Sequence, residues 1–466
     1  MAEKVSLADR FRVATHLLEW VLIAIPIGLV VGSACALFLW MLDEATTLRF
    51  ANPWLYLLLP LGGALVGGMY YVWGGRAEGG NNLILDEIHE PGGGVPLRMA
   101  PLVLIGTVLT HLFGGSAGRE GTAVQMGGAL AHGLVAWLPW LSRYDIRIVL
   151  MAGIAAGFGG VFGTPVAGAV FALEVLVIGR MNYLAIFPCL VASLVADQTT
   201  ITWGTHHTHY HIASVLPEGS DLNVAPVELG LWCWVVLAGA LFGLTSLLFA
   251  KTTHQVSAVA KRWIPHPILR PILGGCLLIG MVWFVGSRDY LGLGIRGEFE
   301  DSVTIVSCFT VGGAFAFSWL IKLLFTAVTL GTGFKGGEVT PLFFIGAALG
   351  NSLAVWWGLP VDLMAALGFV GVFAGATNTP IACTLMAVEL FGGEYITYFA
   401  TVCFMAYLLS GPSGIYASQK LGIPKHPGQL MREQSAPSQP PATQDNQTGP
   451  PPPDSPSRNE RGAQTG

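Results

Sequence analysis

Charged side chains are scarce in this chain. Asp, Glu, Lys and Arg make up 11% of 466 residues, against 53% hydrophobic. Soluble domains carry about 25% charge, so an ordinary water-soluble globular domain is excluded, and mean hydropathy is +0.61. Basic excess is missing too: the net charge of −5 removes nucleic acid from the partners that composition suggests. The seven cysteines stand singly at positions 35, 189, 233, 276, 308, 383 and 403, with no C-x-x-C. They read as small core residues, which excludes a disulfide scaffold and thiolate metal sites. No H-E-x-x-H occurs, so an intramembrane metalloenzyme has no ligand set, and no cofactor is expected. Long uninterrupted apolar runs are few. Stretches such as 101–113, 363–375 and 398–409 fall short of the roughly 20 residues that span a bilayer.

What is present is glycine, 61 residues, about twice the usual share. Short apolar segments interrupted by glycine predict an all-α polytopic membrane protein with broken and re-entrant helices lining a cavity. Residues 1–16 carry Lys4, Arg10 and Arg12 and read as a cytoplasmic leader to a membrane part spanning 17–425. Residues 426–466 read as a Pro-rich tail. From 434 onward it has eight prolines and no Leu, Ile, Val, Met or aromatic residue, too little apolar surface to offset ordering entropy.

The membrane part is duplicated, with halves at about 17–215 and 226–425. Glu120-Gly121-Thr122 leads after five residues to Gly128-Ala129. Glu338-Val339-Thr340 leads after five residues to Gly346-Ala347. Thr164-Pro165-Val166-Ala167 runs to Glu174, and Thr379-Pro380-Ile381-Ala382 runs to Glu389. The offsets are 218 for the first pair and 215 for the second. Order and spacing therefore survive across half the chain, as in transporters whose ion site lies where two repeats meet.

A carboxylate inside hydrocarbon is costly and marks function by default. Glu120, beside Arg119 and Gly121, stands at a helix start, where free N–H groups and the dipole attract anions. It reads as a tethered anion that leaves its place when protonated; the bland alternative is a cap paired with Arg119. Glu338 follows a glycine-rich run containing Lys335 and precedes Val339-Thr340-Pro341. The amides around Thr340 converge on an anion, and Glu338 repels that anion unless it carries a proton. It reads as a proton carrier, against the alternative of an ion pair with Lys335. Asn81 and Asn82, after Gly79-Gly80, mark a third helix start whose side-chain amides donate to an anion or merely cap. The run His206 to His211 has no standard zinc spacing and reads as an exposed loop. Glu174 and Glu389 each end an apolar helix and suggest equal packing or capping roles.

These motifs resemble the CLC family of chloride channels and anion/proton exchangers. G-R-E-G at 118–121 is similar to the family's external-gate motif, and G-E-V-T-P at 337–341 occupies the place of its G-x-F-x-P. F-G-T-P-V-A-G at 162–168 with Glu174 resembles the following helix. Gly414-Ile415-Tyr416 matches the neighbourhood of the anion-coordinating tyrosine. Asn81 in place of serine, Glu338 in the second motif, and Val175 where proton-coupled members keep an inner glutamate resemble the bacterial fluoride/proton antiporter clade.

The resemblance implies a CLC-type fold of two inverted repeats and a homodimer with one pore per subunit. The lipid bilayer would be that of the bacterial inner membrane, with both termini cytoplasmic. It implies fluoride/proton exchange, with chloride as the alternative anion. Chloride/proton exchange or a chloride channel is the rival within the family, and a passive fluoride channel a further one. It also implies Glu120 as gate and Glu338 as the second proton-linked carboxylate. Asn81, Asn82, Gly121, Val339, Thr340 and Tyr416 would hold the anion, with Arg119 and Lys335 supplying vestibule charge.

Overall fold

The computed structural model describes residues 7–205, 207–208, 210–213 and 228–425. The Pro-rich tail expected over 426–466 lies outside these. Among the described residues the first half forms α1 (Leu7–Ala51), α2 (Leu59–Trp73), α3 (Gly80–His89), α4 (Met99–Leu112), α5 (Glu120–Val135), α6 (Arg143–Phe162), α7 (Pro165–Glu174) and α8 (Ile186–Thr202). The second forms α9 (Leu229–Trp263), α10 (Leu269–Val285), α11 (Ser318–Gly331), α12 (Val339–Trp357), α13 (Val361–Thr377), α14 (Pro380–Phe391) and α15 (Ile396–Leu409). The fold is helical throughout, apart from one two-residue parallel pairing of Val177–Ile178 with Lys420–Leu421. Residues 7–16, expected ahead of the first membrane segment, are already part of α1.

The order α4 to α8 recurs as α11 to α15, and where the first half has α3 the described residues between α10 and α11 form no α-helix, only the 3-10 turn Ser307–Phe309. Among the described residues six helices are long and apolar enough to cross a membrane, and seven apolar helices are shorter, at 10–17 residues. The expectation of broken helices is met in α7 and α14, of 10 and 12 residues. Each opens on a proline, whose missing N–H costs nothing in the first turn. A left-handed residue closes the helix before each: Gly163 at φ 72° after α6 and Asn378 at φ 60° after α13. Asparagine is one of the few side chains that tolerate this region.

Small residues set the closest helix contacts in both halves. A Cβ on Gly127 would fall 2.1 Å from the Gly153 carbonyl oxygen, and one on Gly346 2.0 Å from that of Gly368. Thus α5 meets α6, and α12 meets α13, backbone to backbone, as helices do where lipid gives no hydrophobic drive to associate. The outer surface carries exposed Leu, Trp and Phe, including Phe284 and Trp283 on α10 and Leu244 and Leu248 on α9, as a hydrocarbon solvent requires.

The two halves also cap each other. The Glu174 carboxylate accepts from the Ile381 and Ala382 N–H groups at 3.1 and 2.8 Å, at the start of α14. Glu389 accepts from the Val166 and Ala167 N–H groups at 2.9 and 2.8 Å, at the start of α7. Each carboxylate ends one helix and satisfies the orphan donors of its repeat partner. Glu389→Ala and Glu174→Ala should each lower stability by roughly 2 kcal/mol, the cost of leaving the helix-start donors without their acceptor. Thermal unfolding of the detergent-purified variants measures this, and a melting temperature equal to the parent's would show the caps to be dispensable.

Candidate functional site

The site is built where two glycine-rich turns touch. The turn between α4 and α5 and the turn between α11 and α12 run antiparallel past each other at Gly118 and Gly337. Gly118 N–H donates to the Gly337 carbonyl at 2.6 Å, and Gly337 N–H donates to the Gly118 carbonyl at 2.7 Å. Corresponding segments of the two halves therefore approach this point from opposite directions, as inverted repeats require. No side chain fits: a Cβ on Gly337 would lie 2.7 Å from the Gly121 nitrogen, and one on Gly118 2.9 Å from Pro341 Cδ.

This contact sets the N-termini of α5 and α12 face to face, with Glu120 opening α5 and Glu338 just before α12. The Glu120 side chain, 1% exposed, crosses to the other half. Its Oε2 accepts from the Thr340 N–H at 3.0 Å and from the Thr340 hydroxyl at 2.6 Å. The Arg119 N–H adds a third donor at 3.2 Å, and Arg119 Nε lies 3.5 Å from Oε1. These donors fit any small anion; here a tethered one takes them.

The symmetry breaks at the partner positions. Glu338 is partly buried and, among the described residues, its carboxyl makes no hydrogen bond or ion pair. Thr122, the counterpart of Thr340, shares a 2.7 Å hydrogen bond with the Thr107 hydroxyl instead. The ion pair weighed between Glu338 and Lys335 does not form; Lys335 Nζ sits 4.1 Å above the Tyr70 ring.

The third helix start reaches the same place. A Cβ on Gly121 would lie 3.2 Å from Asn81 Nδ2 and 3.9 Å from the Glu338 nitrogen, so α3 brings its amide to the junction of α5 and α12. Asn82 has a different job: its Oδ1 accepts from the Ser418 N–H at 3.1 Å, tying α3 to the segment that carries Tyr416. Tyr416 is buried, makes no hydrogen bond through its hydroxyl among the described residues, and is close enough to Glu338 and Glu120 to feel both charges. Val339 and Thr340, the first residues of α12, are buried beside Glu120. Gln419 amide N–H groups donate to the Val175 and Thr377 carbonyls at 2.9 Å each, so backbone, not a carboxylate, is used at position 175.

A cavity of about 570 Å³ opens on the Arg119 side, lined among others by Arg49, Arg119, Arg296, Thr205 and Thr208. It shares Arg119, Thr208 and Ile295 with a narrow passage of only about 10 Å³ that Tyr210, Phe343, Phe369, Glu120 and Thr340 also line. The histidine run was expected to be an exposed loop; His211 is exposed, but His207, Thr208 and Tyr210 are partly buried, which corrects the expectation there. Tyr210 stacks against Phe309 at 5.7 Å and meets Phe369 edge-on at 5.2 Å. His207 Nε2 lies 3.5 Å from Asp197 Oδ1, both largely buried. The aromatic ring of Tyr210 draws the loop inward, which histidine content alone did not signal. His206 and His209 lie outside the described residues, and among those described no three His, Cys, Asp or Glu gather to hold a metal. Lys335, grouped in sequence with Arg119 as vestibule charge, does not line this cavity; Arg49 and Arg296 do. Only proximity in space marks those two.

A helical membrane fold in which two glycine-rich turns cross and a glutamate occupies an anion seat defines an ion-translocating protein. Residues 62–411 match the family described as voltage gated chloride channel, and the chain belongs to this CLC family. It is 52% identical over 424 residues to a chloride/fluoride channel protein of Pseudomonas syringae pv. tomato, covering 90% of each. It is 26% identical over 421 residues to the voltage-gated ClC-type chloride channel ClcB of Salmonella dublin, covering 86% of this chain and 91% of that one. Among solved structures, a CLC-type fluoride/proton antiporter superposes with a TM-score of 0.80 at 34% identity, covering 90% of this chain and all of that one. A slow cyanobacterial chloride/proton antiporter superposes at 0.68 with 20% identity, covering 85% and 96%, which bears on the fold alone.

Gly118→Ala tests the crossing directly. The added methyl meets Pro341 Cδ at 2.9 Å and Glu120 Oε2 at 3.0 Å, so the turns must separate, at a cost of about 1–3 kcal/mol. Anion flux from liposomes should fall by more than tenfold while circular dichroism still reports helix. Normal flux would mean that the close approach is not needed.

Proposed function

We propose that this protein is a secondary active transporter that exchanges fluoride for protons across the bacterial inner membrane, exporting fluoride. The observation that carries the reading is the seating of the Glu120 carboxylate on the Thr340 N–H and hydroxyl, a place an anion takes when the carboxylate leaves. Protonation of Glu120 removes the charge that holds it there, and the vacated donors accept the transported anion. Glu338, without a hydrogen-bonded partner, receives the proton on the other side of the seat and hands it to Glu120. Gly121, Val339 and Thr340 supply backbone and hydroxyl donors, Asn81 an amide, and Tyr416 a hydroxyl. Asn82 holds the Tyr416 segment in place. Arg119 keeps the approach positive, and Lys335 contributes positive potential from behind the second turn.

Fluoride is favoured because its high charge density suits compact, hard donors, and because the antiporter superposing at 0.80 carries out this exchange. Chloride is the alternative anion, since the same donors bind it. The transport unit spans 17–425, works as a homodimer with both termini in the cytoplasm, and does not depend on the tail.

Two measurements test this in liposomes holding the purified protein, recording fluoride, chloride and external pH together. Glu120→Gln should abolish proton movement, and Glu338→Gln should lower turnover by at least tenfold without loss of folded protein. Unchanged proton-coupled fluoride flux in either variant removes that residue from the route. Asn81→Ser should lower the fluoride-over-chloride ratio; a constant ratio moves selectivity to Thr340 and the backbone around it. A parent protein that moves chloride as well as fluoride makes it a chloride exchanger or channel.

A further inference from the structure

The cavity outside the passage holds a charge that no described residue neutralises. Arg49, in the last turn of α1, is 7% exposed. Its guanidinium makes no hydrogen bond and no ion pair among the described residues, and its Nε is fully buried without a partner. The carboxylate whose field reaches it is that of Glu298, but Arg288 Nη2 takes that group at 2.7 Å. Arg296, on the same cavity wall, is paired with Asp43. Lys322 Nζ, close enough to repel Arg49, spends its donors on the Tyr290 and Gly292 carbonyls at 3.1 and 2.7 Å.

Two neutral roles for Arg49 are visible. It lies 4.8 Å over the Phe50 ring, and it stands where the carbonyl end of α1 favours a cation. Neither supplies the hydrogen-bond acceptors that five guanidinium N–H groups require. A buried cation left unpaired costs several kcal/mol. An anion in the cavity removes that cost.

We propose that Arg49 forms a small-anion binding site in the 570 Å³ cavity, an outer waiting site from which a halide passes to Arg119 and the Glu120 seat. Arg49 and Arg119 both line the cavity, and Arg119 also lines the narrow passage that follows. Arg119 Nε, like that of Arg49, is buried without a hydrogen bond, although it faces Glu120 Oε1 at 3.5 Å. An anion held by Arg49 is thus one step from the guanidinium beside the gate. Thr208 on the wall offers a hydroxyl donor, the Thr46 and Thr205 hydroxyls donate to the Leu42 and Thr200 carbonyls, and Asp43, the one carboxylate on the wall, is already engaged by Arg296.

The test has a binding arm and a flux arm. Crystals of the protein soaked in bromide should show an anomalous peak in contact with the Arg49 guanidinium, absent in Arg49→Gln and retained in Arg49→Lys. No peak at Arg49 in the parent, or a peak that persists in Arg49→Gln, overturns the site. In liposomes, Arg49→Gln should raise the half-saturating anion concentration from the cavity side about tenfold, the worth of one charge-assisted contact. The loss should be smaller from the opposite side and in the maximal rate, and Arg49→Lys should restore most of it. Equal half-saturation in parent and Arg49→Gln also overturns the site. The flux arm rests on the transport reading and the bromide arm does not. A bromide peak with no anion flux in the parent would therefore overturn the transport reading and leave the site standing.

Discussion

Two hydrogen bonds between glycines hold this structure's working parts in place. Gly118 and Gly337 exchange N–H and carbonyl groups at 2.6 and 2.7 Å, and everything at the site is measured from that contact. It fixes how far the start of α5 stands from the start of α12. It brings the Thr340 N–H and hydroxyl, at the start of α12, within reach of Glu120 at the start of α5. Glycine is required for a steric reason, since even a methyl group would enter the backbone of the opposite turn. In a hydrocarbon surrounding, such irregular backbone persists only when each turn satisfies the other.

The repeat serves two purposes that pull in different directions. Glu174 and Glu389 keep the symmetry: each caps the helix of the other half with two hydrogen bonds, and the result is a rigid frame. Glu120 and Glu338 break it. One is buried on three donors and the other has none, because Thr340 gives its hydroxyl to Glu120 while Thr122 gives its own to Thr107. In the proposed exchange, two equal carboxylates, both seated, would leave no difference for a proton to exploit, whereas an unequal pair leaves one group held and one free to change charge. Helix α3, which no α-helix matches among the described residues between α10 and α11, adds to the inequality by bringing Asn81 to one side only.

The approach to the site is electrostatically graded. At the rim Arg296 is neutralised by Asp43. On the same wall Arg49 has no partner among the described residues, and at the mouth of the passage Arg119 faces Glu120. Beyond it the wall turns aromatic, with Phe343 and Phe369 stacked at 3.9 Å. The donors at Thr340 are buried beyond these rings, and burial strengthens their attraction for an anion.

Much of this was legible in the residues themselves. Low charge, abundant glycine and short apolar runs specify a membrane protein of broken helices, because backbone that leaves the helix inside a bilayer must be lined by protein. The repeated E-x-T and T-P spacing marks two related halves, and a lone glutamate in such a run marks a site. Local chemistry carries that information, since the cost of a buried charge or an irregular turn is paid where it occurs. Which glutamate is seated, what Asn82 anchors, where Lys335 turns and why Arg49 matters were decided by tertiary structure. The seating of Glu120 and the anchoring by Asn82, for example, depend on contacts between residues 220 and 336 apart in the chain. Hydrogen bonding and pairing fall off within a few ångströms, so the contacts that distinguish two near-identical motifs exist only once both halves have packed.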